Sequence, residues 1–382
     1  MEKEKRIVWI LGAGFSRSLG APLLADLFTQ ESQRRARITY GSRVGNRFDD
    51  IQDVGTVCQA GTYGLKHSKP FERQWEHAEE FIEKLDLAAR DPHGIERTVF
   101  YCFAQEYKRQ DATHDEAMEF SSRLDDDNIG NFHLRALRLL AAETCCFLEK
   151  ANLDHERWAP YLKWARTLSS NDTVITFNYD RVLELLAQRE TLWIPAPADI
   201  EKRSDYGFPE RAPTVLKLHG SVDWVRRNGK IIRAETDPKM KDVKDIAALY
   251  CEYDELALAT PGPTKREMVQ MSGPIKNHGP LAPLWVYAAI AVKAATAVAF
   301  VGYRFPPTDA ISREKVLEWI DSNTQLKTGM PTIHTVLGAD TDSTDSLRLR
   351  GMLNAVYAAP SFVKPWPMFA EDFLGLVNRD SL

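Results

Sequence analysis

The sequence predicts an α/β fold in which a parallel sheet carries helices on both faces and an all-helical insertion interrupts the chain. Short apolar runs rich in β-formers recur along the sequence, and helical periodicity separates them. Between residues 71 and 168 the apolar residues instead recur at three- and four-residue steps. With 382 residues, the chain is long enough for two or three folding units.

The first predicted unit is a strand, a loop and a helix. Residues 7–11 form a continuous apolar run that ends at a glycine, which is typical of a strand buried on both faces. A helix is expected over residues 22–35, because Leu24, Leu27 and Phe28 share helical spacing.

The helical insertion is predicted over residues 37–170, so that residues 1–36 and 171–382 form the sheet domain. Residues 36–69 show only weak periodicity and predict no definite element. The polar, acidic stretch at 108–130 predicts an exposed connection within the insertion. The insertion's large aromatic residues indicate either its own core or a surface for another protomer or partner; they are Trp75, Phe100, Trp158 and Trp164.

Later strands are predicted at residues 173–177, 214–218, 297–301 and 332–337. A helix is expected over 180–188. The most apolar stretch, 281–301, contains Lys293 and favours a buried helix followed by a strand over a membrane span. Because ligands of parallel α/β sheets bind beyond the carboxyl ends of the strands, we expect the functional side chains directly after each strand.

Composition narrows the class of protein. A net charge of −5 offers no general basic surface, so direct binding of nucleic acid is not expected. The charged start leads into an apolar run too short for a signal peptide. Five cysteines without a C-x-x-C pair favour neither a disulfide framework nor a zinc ribbon. We therefore expect a cytoplasmic protein with no membrane segment.

Four polar blocks follow four of the predicted strands: Gly12-Ala13-Gly14-Phe15-Ser16, Asn178-Tyr179-Asp180, His219-Gly220-Ser221 and Gly302-Tyr303-Arg304. The two glycines of the first block would let the backbone approach a diphosphate and would leave free N–H groups for it. A dehydrogenase loop would carry a third glycine where Arg17 stands. No acidic residue follows a clear second strand about 20 residues on, which further weakens a hydride-transfer interpretation.

Each candidate side chain also has a purely structural interpretation. His219 suits a general base because histidine titrates near neutral pH, but a buried histidine ending a strand is the alternative. Asn178 and Asp180 could cap the helix that follows them. Asp309 could likewise cap a helix over residues 310–320.

The four blocks resemble the sirtuin-like family, in which G-A-G-x-S opens the first helix, T-x-N-x-D follows the second strand and H-G follows the third. The matching stretches are residues 6–24, 172–182 and 214–224, and more loosely 260–310. The resemblance implies a Rossmann-like NAD-binding domain in which the first loop covers the diphosphate and the nicotinamide-side ribose.

The resemblance also implies roles for individual residues. Asn178 would hold that ribose or an attacking water, and His219 would activate the water. No metal is implied, and NAD would be a substrate. The remaining binding residues would be Gly12, Ala13, Gly14, Phe15, Ser16, Asp180, Gly220, Gly302, Tyr303 and Asp309.

The chain departs from lysine-deacylating sirtuins after the H-G block. Their four-cysteine zinc module is replaced by a stretch in which Asn228-Gly229 predicts a tight hairpin. The stretch from residue 260 to 310 is similar instead to bacterial sirtuin-like proteins that hydrolyse NAD in anti-phage defence, although Arg304 stands where they usually carry serine.

These departures lead us to expect a regulated NAD+ hydrolase. The alternatives are an NAD-dependent protein deacylase or ADP-ribosyltransferase, and a non-catalytic subunit that senses NAD or ADP-ribose. By the same resemblance, control would come from homo-oligomerisation, from a separate ATPase or helicase-like subunit, or from a phage trigger.

Overall fold

The computed structural model describes most of the chain, and the account below concerns those residues only. They are residues 5–44, 47–63, 73–91, 93–111, 129–202, 208–234, 246–271, 278–326, 331–356 and 363–382. Of the predicted acidic connection at 108–130, residues 112–128 lie outside them, whereas 108–111 end one helix and 129–130 begin the next described helix.

In the described part of the chain, nine strands form two sheets. In chain order the strands are β1 (Ile7–Leu11), β2 (Thr173–Thr176), β3 (Thr214–Lys217), β4 (Gly220–Arg227), β5 (Lys230–Arg233), β6 (Leu256–Leu258), β7 (Ala297–Val301), β8 (Thr332–Val336) and β9 (Val363–Trp366). Six of them make an all-parallel sheet in the order β3-β2-β1-β7-β8-β9, and β5-β4-β6 make a small antiparallel sheet. The large sheet has the strand order 3-2-1-4-5-6 of Rossmann-like folds, so the predicted fold class is confirmed.

The described helices surround these sheets. They are α1 (Ala13–Ser16), α2 (Gln30–Val44), α3 (Arg47–Tyr63), α4 (Ala78–Arg90), α5 (Ile95–Asp111), α6 (Ile129–Cys145), α7 (Ala159–Thr167), α8 (Val182–Leu186), α9 (Pro197–Glu201), α10 (Pro263–Val269), α11 (Ala282–Ala294), α12 (Ala310–Leu326), α13 (Thr344–Val356) and α14 (Ala370–Leu376). All five predicted strands of the large sheet are present within one residue of their expected bounds. The edge strand β9 was not predicted, because Pro365 interrupts its short β-rich run.

The helix expected over residues 22–35 is wrong in its first half. That segment forms a 3-10 turn at Leu24–Asp26, and α2 begins only at Gln30. Phe28 lies between them with a φ of 60°, and its N–H donates to Glu143 Oε2 at 2.7 Å. A left-handed residue cannot continue an α-helix, so helical spacing alone misplaced the start.

The insertion has a core of its own, built from α2 to α6. The indole of Trp75 stacks on Phe100 at 5.4 Å and also contacts Phe81 at 4.8 Å. Trp158 and Trp164 are buried as well, but they pack beneath the large sheet, where Trp164 meets Trp9 edge-on at 5.5 Å. These four aromatic side chains are therefore core residues, and they supply no exposed partner surface.

The small antiparallel sheet joins the insertion to the large sheet. Val222 and Val225 belong to the insertion's core, whereas Trp224 packs in the core of the sheet domain. The predicted hairpin is confirmed, because β4 and β5 pair around Asn228 and Gly229, which have φ values of 52° and 75°. Both values suit the tight turns that join adjacent antiparallel strands.

Within the described part of the chain, no helix is both long and apolar enough to cross a bilayer.

Candidate active site

A cavity of about 480 Å³ opens beyond the carboxyl ends of β1, β2, β3, β7 and β8. The strand order reverses between β1 and β7, which is where Rossmann-like sheets bind their ligands. The volume lies within the range of small-molecule sites. Nine predicted site residues line it: Gly12, Ala13, Gly14, Asn178, Asp180, His219, Gly302, Tyr303 and Asp309.

The glycines of the first block hold two loops together. The N–H of Gly12 donates to the carbonyl of Val301, and that of Gly14 to the carbonyl of Gly302, each at 3.1 Å. A Cβ on Gly14 would lie 2.7 Å from the Cα of Gly302. The expectation that both glycines leave free N–H groups for a ligand was therefore wrong, because those groups bind the last residue of β7 and the first residue of the loop after it.

Phe15 and Ser16 lie behind the cavity wall. Phe15 meets Tyr161 edge-on at 5.1 Å, and its carbonyl accepts a hydrogen bond of 2.6 Å from the Tyr161 hydroxyl. Ser16 is fully buried, and its hydroxyl donates to Asp180 Oδ2 at 2.9 Å. Both residues therefore anchor the glycine loop from below.

Asn178 ties the end of β2 to the same loop. Its Nδ2 donates to the carbonyl of Gly12 at 3.1 Å and to Ser16 Oγ at 3.3 Å. The neighbouring Asp180 accepts a 3.0 Å hydrogen bond from the N–H of Val182 and so shapes the turn before α8. Arg181 is the N-cap residue of that helix and its side chain makes no capping hydrogen bond, so neither Asn178 nor Asp180 is the cap. Burial raises the pKa of the Asp180 carboxyl, and the cation of Lys217 partly offsets this.

His219 is held at the end of β3 with only 6% of its surface exposed. Its Nε2 lies 3.1 Å from Ser312 Oγ and 3.3 Å from Asp309 Oδ2. Burial and the nearby cation of Lys265 lower the pKa of the imidazole, against the opposing effects of Asp309 and of the Phe177 backbone. The ring is therefore neutral near pH 7, and we assign its proton to Nε2, facing the carboxylate.

Asp309 is the centre of a buried polar cluster. Its Oδ1 pairs with Lys265 Nζ at 2.6 Å, and its Oδ2 accepts a hydrogen bond of 2.6 Å from the Tyr303 hydroxyl. Burial opposes ionisation, but Lys265 and His219 hold the pKa of Asp309 well below its usual range. The carboxylate is thus an anion that faces the cavity residues.

Gly220 does not line the cavity but shapes the backbone beside His219. It has a φ of 82°, and a Cβ there would lie 1.8 Å from the carbonyl oxygen of Ala257. Immediately before it, the carbonyl of His219 accepts a 2.8 Å hydrogen bond from Ala259. Gly220 therefore permits the sharp change from the large sheet to the small one.

Lys265 and Glu79 are two of the charged cavity residues that were not predicted. Lys265 lies in the first turn of α10, and Glu79 comes from α4 of the insertion. The hydroxyl of Thr308 donates to Glu79 Oε2. A proline after Gly262 does indicate a helix start near Lys265, but no local pattern indicates that either side chain reaches the cavity.

A second polar network supports the floor of the site. Lys217 Nζ donates to the carbonyl of Asp180 at 2.6 Å, to Ser221 Oγ at 2.6 Å and to Glu184 Oε1 at 2.8 Å. Burial of this lysine is tolerated because each of its donors meets an acceptor. The network links the ends of β2 and β3, and so it fixes Asn178 relative to His219.

Arg304 lies at the cavity mouth, where its guanidinium pairs with Asp345. Both side chains are partly exposed, at 46% and 38%. Arg304, which stands where the sirtuin-like pattern usually has serine, therefore places a charged group at the entrance of the cavity. The motif alone does not predict this position.

No protein-family model matches this chain, and no curated protein matches it. Within the described ranges, no group of three or more His, Cys, Asp or Glu side chains is arranged to hold a metal ion.

Proposed function

We propose that the protein is a sirtuin-like NAD+ hydrolase that releases nicotinamide and ADP-ribose. The observation that carries this proposal is that Asn178 and His219, 41 positions apart in the sequence, line one cavity with the Gly12–Gly14 loop. That cavity lies at the switch point of a sheet with the strand order of dinucleotide-binding folds.

In the proposed reaction, the bond between C1′ of the ribose and the nicotinamide nitrogen breaks, and its electron pair stays with the nicotinamide. Water attacks C1′ and loses a proton. Neutral His219 accepts that proton on Nδ1, because the proton that the ring already carries is on Nε2, facing Asp309. Asp309 and the Phe177 backbone both favour the protonated ring that results. Asn178 orients the ribose or the water beside it.

The hairpin of β4 and β5 favours hydrolysis over deacylation. It directly follows the H-G block, in the part of the chain where deacylating sirtuins carry the zinc module that helps to form the cleft for an acyl-lysine peptide. Its presence leaves the nucleotide cavity intact, since neither Asn228 nor Gly229 lines it.

The test is release of nicotinamide by the purified protein incubated with NAD+, with and without an acyl-lysine peptide. We expect release without the peptide. His219→Ala and Asn178→Ala should each lower the rate by about 100-fold or more while thermal melting is retained. His93→Ala is the matched control, because it also precedes a glycine but is exposed and outside the cavity.

Other outcomes support other functions. Release that requires the peptide would indicate transfer to an acceptor, and NAD+ binding without any release would indicate a sensing subunit. Undiminished turnover by His219→Ala would overturn the catalytic assignment. The same assay with the protein encoded by its genomic neighbour tests whether the activity is regulated by a partner.

A further inference from the structure

Glu79 is the carboxylate that the insertion contributes to the cavity. It lies in the first turn of α4 and lines the same cavity as Asn178 and His219. Its Oε2 accepts a hydrogen bond from Thr308, the residue before Asp309, across 229 positions of sequence. The insertion therefore reaches the reaction centre that the sheet domain builds.

Cations offset the negative charge of two other carboxylates that line the cavity, Asp309 and Asp180. Asp309 pairs with Lys265 at 2.6 Å, and Asp180 accepts hydrogen bonds from Val182 and Ser16 near the cation of Lys217. Glu79 accepts a hydrogen bond from the neutral hydroxyl of Thr308 and makes no ion pair among the described residues, but the charges of Lys265 and His77 also lower its pKa.

Glu79 also lies close to Tyr179, in the block that follows β2. Tyr179 sits between Asn178 and Asp180, and its pKa is raised by burial and then by the charges of Glu79 and Asp309. Burial likewise raises the pKa of Glu79, and the Thr308 hydroxyl partly offsets this. The charge of Glu79 therefore influences Tyr179, which follows β2 at the edge of the cavity.

Departure of nicotinamide leaves positive charge on C1′ and the ring oxygen of the ribose. Glycosidic cleavage in general uses a carboxylate beside the sugar to stabilise such a transition state. A preorganised charge is effective because it needs no rearrangement as the new charge develops.

We propose that Glu79 is a catalytic residue whose carboxylate faces the nicotinamide-side ribose and stabilises the positive charge that forms as nicotinamide leaves. This inference rests on the proposed hydrolysis of NAD+. Glu79 forms no covalent bond in this step: water supplies the oxygen that C1′ gains, and nicotinamide keeps the electron pair of the broken bond.

A structural role for the same side chain predicts a different pattern of effects. The hydrogen bond between Glu79 and Thr308 could simply clasp the insertion to the sheet domain. Thr308→Val removes that clasp and keeps the carboxylate, whereas Glu79→Gln keeps a hydrogen-bond acceptor for Thr308 and removes the charge. The two variants therefore separate the clasp from the charge.

The experiment measures kcat for nicotinamide release, the Kd for ADP-ribose and thermal melting in the wild type and these variants. For Glu79→Gln we expect kcat to fall about 100-fold, with melting retained and the Kd for ADP-ribose changed by less than about threefold. Glu79→Asp should recover part of the rate, and Thr308→Val should cost less than about tenfold. Glu76→Gln is the control, because it removes an exposed charge near the start of α4 outside the cavity.

Wild-type release with undiminished kcat in Glu79→Gln would overturn this assignment and leave the proposed function standing. Equal losses in Glu79→Gln and Thr308→Val, with lowered melting in both, would assign Glu79 to the clasp and overturn it as well. Absence of nicotinamide release from the wild type, alone and with a partner, would instead overturn the proposed function itself.

Discussion

The N–H of Gly14 donates to the carbonyl of Gly302 at 3.1 Å, and each of the two residues occupies the space that a Cβ on the other would need. A Cβ on Gly302, which has a φ of 64°, would lie 2.3 Å from the backbone nitrogen of Phe15. This contact brings the loops after β1 and β7 together at the switch point of the sheet. The shape of the cavity therefore depends on direct contact between the backbones of these two loops.

Gly14→Ala should disrupt nucleotide binding, because its Cβ would lie 2.7 Å from the backbone of Gly302, which cannot rotate away. We expect affinity for ADP-ribose to fall by at least about tenfold, corresponding to about 1.4 kcal/mol, as measured by calorimetry. Gly130→Ala is the matched control, since a Cβ there meets nothing within 4 Å. Equal affinity in both variants would show that the contact between the loops does not shape the site.

His219 should titrate below the ordinary histidine value of 6.5, because burial lowers its pKa. Its neutral, proton-accepting form is then the main form at neutral pH and is lost only as the pH falls below that value. NMR titration of protein labelled at histidine measures this, with His219→Ala identifying the signal. A pKa of His219 above 6.5 would contradict the electrostatics described for the site.

Lys265→Met should raise the pKa of His219, since it removes a cation that opposes protonation and leaves Asp309, which favours it. It should also destabilise the fold by about 3–5 kcal/mol, because the Asp309 carboxylate loses its buried partner. Urea unfolding and the same NMR titration test both effects. Lys265→Met combined with Asp309→Leu should regain part of the stability, and failure to do so would argue against the pair as the cause.

Glu143→Gln should stabilise the protein in alkaline solution. Burial raises the pKa of Glu143 from 4.5 to about 8, so the folded state holds a proton that the unfolded state releases. Stability then declines as the pH rises from about 4.5 to about 8, and a neutral glutamine that still accepts from Phe28 avoids this decline.

We therefore expect thermal melting of Glu143→Gln to exceed that of the wild type by on the order of 2 °C at pH 8, and to match it at pH 5. Equal melting at both pH values would indicate that Glu143 carries no such proton in the folded protein.

Local patterns were sufficient for five of the six strands of the large sheet and for part of the site. Residues 7–11 and 297–301 coincide with β1 and β7, because a strand buried on both faces leaves a continuous apolar run. Polar residues directly after those runs then reach one edge of the sheet through topology alone. Phe28 shows the limit, since its left-handed backbone depends on Glu143, 115 positions away.

By itself, the sequence determined five strands of the parallel sheet, the tight hairpin and the strand-end residues Asn178 and His219, because periodicity and turn chemistry act between near neighbours. Only the tertiary structure decided that Lys265 neutralises Asp309, that Glu79 enters from the insertion and that the N–H groups of Gly12 and Gly14 bind the protein itself. Those facts depend on packing and on charges brought together across long stretches of chain, and no short-range pattern records them.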